Sequence, residues 1–138
     1  MKIPILALAA ALLLTGGCQT QPVSSTHPHL VIGPRAGGYL QIESVQEGRA
    51  SGDLLRAGVR LHNRSLGTQE LRYRFEWLDA GGFEIQGLAA RWELLELRPQ
   101  VSHSLDRVAP SARAVGYRIH LFDTRTPPAN TNVSGSAQ

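Results

Sequence analysis

Between residues 71 and 77 the chain alternates without a break: Leu71, Tyr73, Phe75 and Trp77 interleave with Arg72, Arg74 and Glu76. A period of two places large apolar groups on one face of a strand and charges on the other, so this stretch demands a half-buried sheet. Asp79-Ala80-Gly81-Gly82 then carries turn chemistry, and Phe83-Glu84-Ile85 resumes the alternation. The pattern predicts a hairpin over 71–85. Two of the three phenylalanines, one of the three tyrosines and one of the two tryptophans lie here, so the core is expected to form around it.

The remaining segments read in the same way. Residues 30–32 form a short apolar run, an expected edge strand closed by Gly33-Pro34. Residues 39–45 are the first full strand, with Leu40 and Ile42 alternating with Gln41 and Glu43, and 47–52 read as a loop. In the strand over 54–63, Leu55, Ala57, Val59 and Leu61 share one face, and Arg56, Arg60 and His62 the other. Asn63-Arg64-Ser65 has the form of a glycosylation sequon, but an Asx-type turn accounts better for the asparagine. After a loop over 86–90, residues 91–97 admit two readings: Trp92, Leu95 and Glu96 suit one helical turn, whereas Trp92 with Leu94 suits a strand. The segment is shorter than the roughly 12 residues a free helix needs, which favours the strand. Val101, His103 and Leu105 share one face of the next strand. Over 114–122, Val115, Tyr117, Ile119 and Leu121 point inward, while Gly116, Arg118 and His120 point outward. Short strands separated by turn signals, with no helical periodicity, predict an all-β fold. The expected architecture is an immunoglobulin-like antiparallel β-sandwich of about six to seven strands over 30–122. Residues 123–138 are polar and read as a disordered tail.

The N-terminus reads as an address. Lys2 precedes an uncharged apolar run over 3–14, and Thr15-Gly16-Gly17-Cys18 follows at once. The run is too short to span a bilayer, for which about 20 residues are needed, and has the layout of a signal peptide. Its small-small-Cys ending resembles the bacterial lipobox, with Thr15 where leucine is the commoner residue. That resemblance implies cleavage after residue 17 and lipidation of Cys18, the one cysteine of the chain, by a thioether-linked diacylglycerol and an N-acyl chain. Each buried methylene contributes about 0.8 kcal/mol, so such chains hold a protein on a membrane. Gln19 in place of aspartate points to the periplasmic face of the outer membrane. Residues 18–29 then read as the lipidated cysteine and a flexible tether. His27 and His29 in that tether lack the closed ligand set of a metal site, and no metal or other cofactor is expected.

Leu61-His62-Asn63-Arg64-Ser65, the stretch 71–84, Trp92, Val108-Ala109-Pro110 and Tyr117-Arg118-Ile119-His120-Leu121 together resemble the YcfL family of small proteobacterial periplasmic lipoproteins. The resemblance runs over 39–122 and includes the lipobox. It implies a β-sandwich at the outer membrane and a gene often near cell-envelope genes, including one for a peptidoglycan-synthesis lipoprotein. It implies no catalytic residue.

The chemistry-bearing residues point the same way. With Lys2 removed, thirteen arginines face eleven acidic residues, so the charge is close to balance. A nucleic-acid reading would want the arginines clustered on one face with interleaved aromatics, and the secreted address argues against it; a mixed solvated surface is the expectation. No Gly-x-Ser-x-Gly elbow exposes a serine nucleophile, and there is no phosphate-cradling glycine loop. Glu76, Asp79 and Glu84 are carboxylates of the kind sugar hydrolysis uses in pairs, though acids on strands and turns are usually only solvated. Arg60, Arg72, Arg74 and Arg118 fall on outward faces of strands and, if those strands pair, make an arginine-rich face suited to carboxylates or phosphates. The expected function is a non-catalytic binding or accessory module of the cell envelope, anchored to the membrane by lipid, with an envelope protein or peptidoglycan as partner. The alternatives are a cell-wall-acting enzyme, or an assembly or chaperone-like factor for outer-membrane proteins.

Overall fold

The computed structural model describes residues 27–87 and 90–125. The signal segment 1–17, Cys18, most of the tether and the tail beyond Arg125 lie outside the described residues. Among the described residues, seven strands, one short α-helix and one 3-10 turn follow in order: β1 (Leu30–Ile32), α1 (Pro34–Gly37), β2 (Leu40–Ala50), the 3-10 turn (Ser51–Asp53), β3 (Leu54–Asn63), β4 (Gln69–Leu78), β5 (Glu93–Leu97), β6 (Ser102–Val108) and β7 (Gly116–Asp123). They build two sheets, one of four strands in the order β1-β7-β4-β5 and one of three in the order β2-β3-β6. The fold is therefore the sandwich that the alternating pattern predicts. All pairings are antiparallel except β1 with β7, which is parallel.

The inward residues of β3 and β4 form the centre. Leu55, Ala57, Val59 and Leu61 lie against Leu71, Tyr73, Phe75 and Trp77, with Tyr117, Ile119 and Leu121 of β7 in the same core. A register shift in β2 between Ile42 and Ser44 lets Ile42 and Val45 both pack against this core. Such a bulge inserts one residue and re-aims the strand. The β2–β3 connection turns through Gly52 and Asp53, at φ 72° and 58°. A glycine adopts that left-handed region without the steric cost other residues meet.

Several local expectations shift. β2 continues to Ala50, so residues 47–50 are strand and not loop. The proposed return strand after residue 82 is only a single bridge between Leu78 and Glu84. Phe83 beside it is 74% exposed, because the neighbours of β4 are β7 and β5. Val115 is 57% exposed and precedes β7, and Val101 likewise lies outside β6. The ordered domain already includes His29, whose ring stacks on Tyr117 at 4.6 Å and whose carbonyl accepts from the Ile119 amide at 2.8 Å. At the other end, Asp123 is wholly buried as the last residue of β7 and does not belong to a tail.

Two polar groups pin the sandwich. The buried Asn63 side chain donates from Nδ2 to the carbonyls of Gly67, Leu97 and Arg98 at 3.0, 3.0 and 3.2 Å. Its Oδ1 accepts from the amide and hydroxyl of Ser65 at 2.9 and 2.7 Å. The Asx-type turn is present, and it also ties the β3–β4 loop to the β5–β6 turn. The Asp123 carboxylate accepts from the Arg125 amide, Nε and Nη2, each at 2.9 Å. The Arg125 hydrogen bonds, above all, hold its carboxyl down to about 2, although burial alone would raise it.

Replacing Asn63 by alanine removes five hydrogen bonds and strands buried carbonyls, so it is expected to cost about 3 kcal/mol. Asn63→Asp is expected to cost as much, since a carboxylate cannot donate to three carbonyls; urea midpoints measure both. For Asp123, a pKa depressed in the folded state contributes stability above the unfolded value of 3.8 and loses it as pH falls toward the folded value. Asp123→Asn is expected to be less stable than the parent by roughly 2 kcal/mol at pH 7, with the gap closing between pH 4 and pH 2 in urea unfolding at stepped pH.

Candidate functional site

Burying the aromatic set of β4 commits its other residues to the opposite face, because successive side chains on a strand point to opposite sides. Arg72, Arg74 and Glu76 therefore lie on the outer face of the four-stranded sheet. The β4–β7 register sets Arg72 beside Phe122, Arg74 beside His120 and Glu76 beside Arg118. On the other side of β4, Arg72 stands opposite Leu94 of β5. Trp92, immediately before β5, folds over this surface. The Arg72 and Arg74 guanidiniums lie over its indole at 5.2 and 5.6 Å from the ring centre. Arg72 also sits 5.8 Å from the Phe122 ring. Trp92 meets Phe122 and His120 edge-on at 5.8 and 6.1 Å, and His120 stacks on Phe122.

The face is a cation–aromatic cluster with its own counter-charges. Arg74 donates from Nη1 to Glu84 at 3.0 Å. Glu76 takes Nε2 of His120 at 2.7 Å and Nη1 of Arg118 at 3.5 Å. Burial of Glu76 would raise its pKa, but the His120 hydrogen bond and the charges of His120, Arg118 and Arg74 outweigh it and hold the carboxyl below its ordinary value. Trp92 remains 48% exposed and Leu94 75% exposed, so one indole surface and an aliphatic group stand beside the cations. Such a surface can bind a planar or anionic group by stacking and by guanidinium hydrogen bonds.

Three of the four arginines singled out from the sequence thus come together: Arg72, Arg74 and Arg118. Arg60 does not join them. It belongs to β3 in the other sheet, where its Nε donates to Glu43 at 2.7 Å. Hydrogen bonds from Ser102 and then from Arg60 hold the Glu43 carboxyl below its ordinary value. Cys18 lies outside the described residues. His120 was expected at the surface but is largely buried in the cluster, with only 16% of its side chain exposed. Trp92 and Phe122 are not among the candidate site residues read from the sequence. For Phe122 the signal was present, since it has the same parity as Arg118 and His120.

The residues of this sheet fall inside a recognised family. A family model described as "Protein of unknown function (DUF1425)" matches residues 29–123. The chain belongs to this family. Two solved structures share the DUF1425 domain's fold. A crystal structure of Campylobacter jejuni cj0090 aligns at 20% identity with a TM-score of 0.59, over 70% of this chain and 99% of that one. A DUF1425 family member from Shewanella sp. pv-4 aligns at 24% identity with a TM-score of 0.55, over 66% of this chain and 81% of that one. No curated protein matches the chain.

Among the described residues of this DUF1425 domain, no three histidine, cysteine or acidic side chains gather where they could hold a metal ion. No helix among them is long and apolar enough to cross a membrane. A second polar cluster bridges the two sheets at one end. Arg107 of β6 donates to the Tyr73 hydroxyl and to Glu93 at 2.9 and 2.7 Å, and Tyr73 donates to Glu93 at 2.9 Å. Each member has its partner within the domain, which marks this cluster as a clasp between the layers.

The cation–π geometry is testable in isolation. In a double-mutant cycle, Arg72→Ala and Trp92→Ala are expected to couple by about 0.5–1 kcal/mol in denaturant unfolding. Lys at position 72 is expected to recover only part of that coupling, since an ammonium lacks the flat guanidinium surface.

Proposed function

We propose that this DUF1425 protein is a YcfL-like lipoprotein that acts as a non-catalytic binding or accessory module on the periplasmic face of the outer membrane. The observation that carries the reading is the outer face of the four-stranded sheet, where Arg72, Arg74 and Arg118 share one surface with Trp92, Phe122 and the exposed Leu94. A rigid aromatic platform loses little conformational freedom on binding, and guanidinium forks give an anionic group its orientation. The anchoring part of the reading rests on the apolar run and the Thr15-Gly16-Gly17-Cys18 ending. A lipid on Cys18 would hold this surface near envelope proteins and peptidoglycan, whose stem peptides carry carboxylates. No step of covalent chemistry enters this role.

The test is in-cell photocrosslinking from position 94, which is exposed and adjoins Arg72, followed by mass spectrometry. One discrete protein or glycan adduct is expected, lost on Arg118→Glu and retained on Arg60→Glu in the opposite sheet. The membrane-bound fraction is expected to fall at least about tenfold on Cys18→Ala, because the acyl chains supply the membrane affinity. Capture of nothing or of lipid alone at position 94 overturns the binding role, and unchanged fractionation of Cys18→Ala overturns the anchor.

A further inference from the structure

Arg60 was left apart from the arginine face, and its own surroundings form a second site. On the outer side of the three-stranded sheet lies a depression of about 310 Å³, lined among others by Gly48, Gly58, Arg56, Arg60, Ser104 and Asp106. Its floor is bare strand. The β3 register sets Gly58 opposite both Gln46 of β2 and Asp106 of β6, and Gly48 opposite Arg56. Two outward positions on adjacent strands therefore carry no side chain. At Gly58 a Cβ would be crowded, 3.0 Å from the Leu105 carbonyl oxygen and 3.1 Å from the Asp106 Cβ, so a side chain there requires its neighbours to give way. At Gly48 a Cβ would meet nothing within 4 Å.

The rim carries both signs of charge. Arg56 and Arg60 stand at the two ends, four residues apart on β3, which separates their backbones by about 13 Å. Arg56 gives Nε and Nη2 to Oδ2 of Asp106 at 3.1 and 2.7 Å. Among the described residues, no hydrogen bond engages the other oxygen of that carboxylate, Oδ1. Arg60 is held through Nε by its bond to Glu43, it lines the depression, and among the described residues no hydrogen bond engages its Nη1 or Nη2. The site thus offers an acceptor oxygen at Asp106, held through its other oxygen by Arg56, and the two uncommitted Nη donors of Arg60, beside a glycine floor.

We infer that this depression binds the free termini of a short peptide: the ammonium group on Asp106 Oδ1, the carboxylate on the outer edge of Arg60, and the backbone laid across Gly58. The volume is at the lower end of small-molecule sites, which begin at roughly 300 Å³, and accommodates a dipeptide. Both charged groups are about half exposed, so the affinity is modest, with a dissociation constant on the order of 1 mM, and weakens with salt. This site is independent of the arginine–tryptophan face, which lies on the other sheet.

The experiment is a titration of the isotope-labelled full chain in detergent with L-alanyl-L-alanine, followed in amide correlation spectra. Saturable shifts are expected at Gly48, Gly58, Ser104 and Asp106. Acetylating the dipeptide's amine or amidating its carboxylate is expected to weaken binding at least about tenfold, as each removes one charged contact. Arg60→Gln is expected to abolish the shifts. Gly48→Val is expected to do the same by filling the depression, with the thermal midpoint unchanged because the position opens onto solvent. The inference is overturned if no localised shift appears at about 10 mM dipeptide, a concentration that would nearly saturate such a site. Equal binding of the blocked dipeptides, or unaltered binding by Arg60→Gln or by folded Gly48→Val, overturns it too.

Discussion

Tyr73, Phe75 and Trp77 run in succession along the inner face of β4, with ring centres 6.3 and 6.0 Å apart, and all three are buried. Burying a large apolar side chain contributes about 2–3 kcal/mol, and stacked or edge-on aromatic pairs add to that. A slip of one residue would turn this ladder out to water and bring Arg72, Arg74 and Glu76 into the core. The aromatic ladder therefore decides the outer surface as firmly as it decides the inner one. The arginine face is the obligatory reverse side of the core.

What the ladder leaves open, polar contacts close. Antiparallel layers held only by apolar contacts can slide, whereas a buried hydrogen-bond group tolerates one arrangement because leaving its partners unmet costs roughly 1–3 kcal/mol each. Asn63 fixes one end, where its amide donates to three carbonyls, of Gly67 in the β3–β4 loop and of Leu97 and Arg98 at the end of β5. Arg107, Tyr73 and Glu93 fix another point by linking β6 to β4 and β5 across the layers. Both devices constrain the β5 region, through Leu97 and Arg98 in the first case and Glu93 in the second. Trp92 adjoins that constrained strand, so its position over Arg72 and Arg74 inherits the order of the sandwich.

The fold class was legible because period-two alternation is a local signal and needs no knowledge of partners. The 54–63 and 71–77 stretches show it plainly, and both are strands with the predicted inward faces. Turn chemistry was legible for the same reason: Asp79 accepts from the amides of Gly81 and Phe83 through Oδ1. What was not legible depends on which strands meet. Alternation gives Arg60 an outward direction but cannot say on which sheet, and the chain passes from the three-stranded to the four-stranded sheet between β3 and β4. The parallel pairing of β1 with β7 joins residues about 90 positions apart in sequence, beyond the reach of any local rule. Phe83 resumes the alternation yet lies outside, since no neighbouring layer covers the turn that carries it. Trp92 stayed ambiguous because its role is cross-strand contact with cations, which periodicity does not encode.

Arg74 and Arg118 on this surface already have acidic neighbours, and the energies decide what that means for a ligand. An exposed ion pair contributes only about 0–1 kcal/mol, so the partly exposed Arg118, 3.5 Å from Glu76, surrenders little on turning to another anion. Arg74 and Glu84 are more enclosed and closer, at 3.0 Å, and Arg74 is further held over Trp92. Exchanging its partner costs more, and a ligand gains most by leaving that pair intact. The two arginines accordingly divide the work: Arg74 fixes the indole as a platform, and Arg118 at the open side provides the charge that a bound anion meets. An anionic group that also carries a flat or apolar surface uses both, whereas a bare inorganic anion gains only the exchangeable contact.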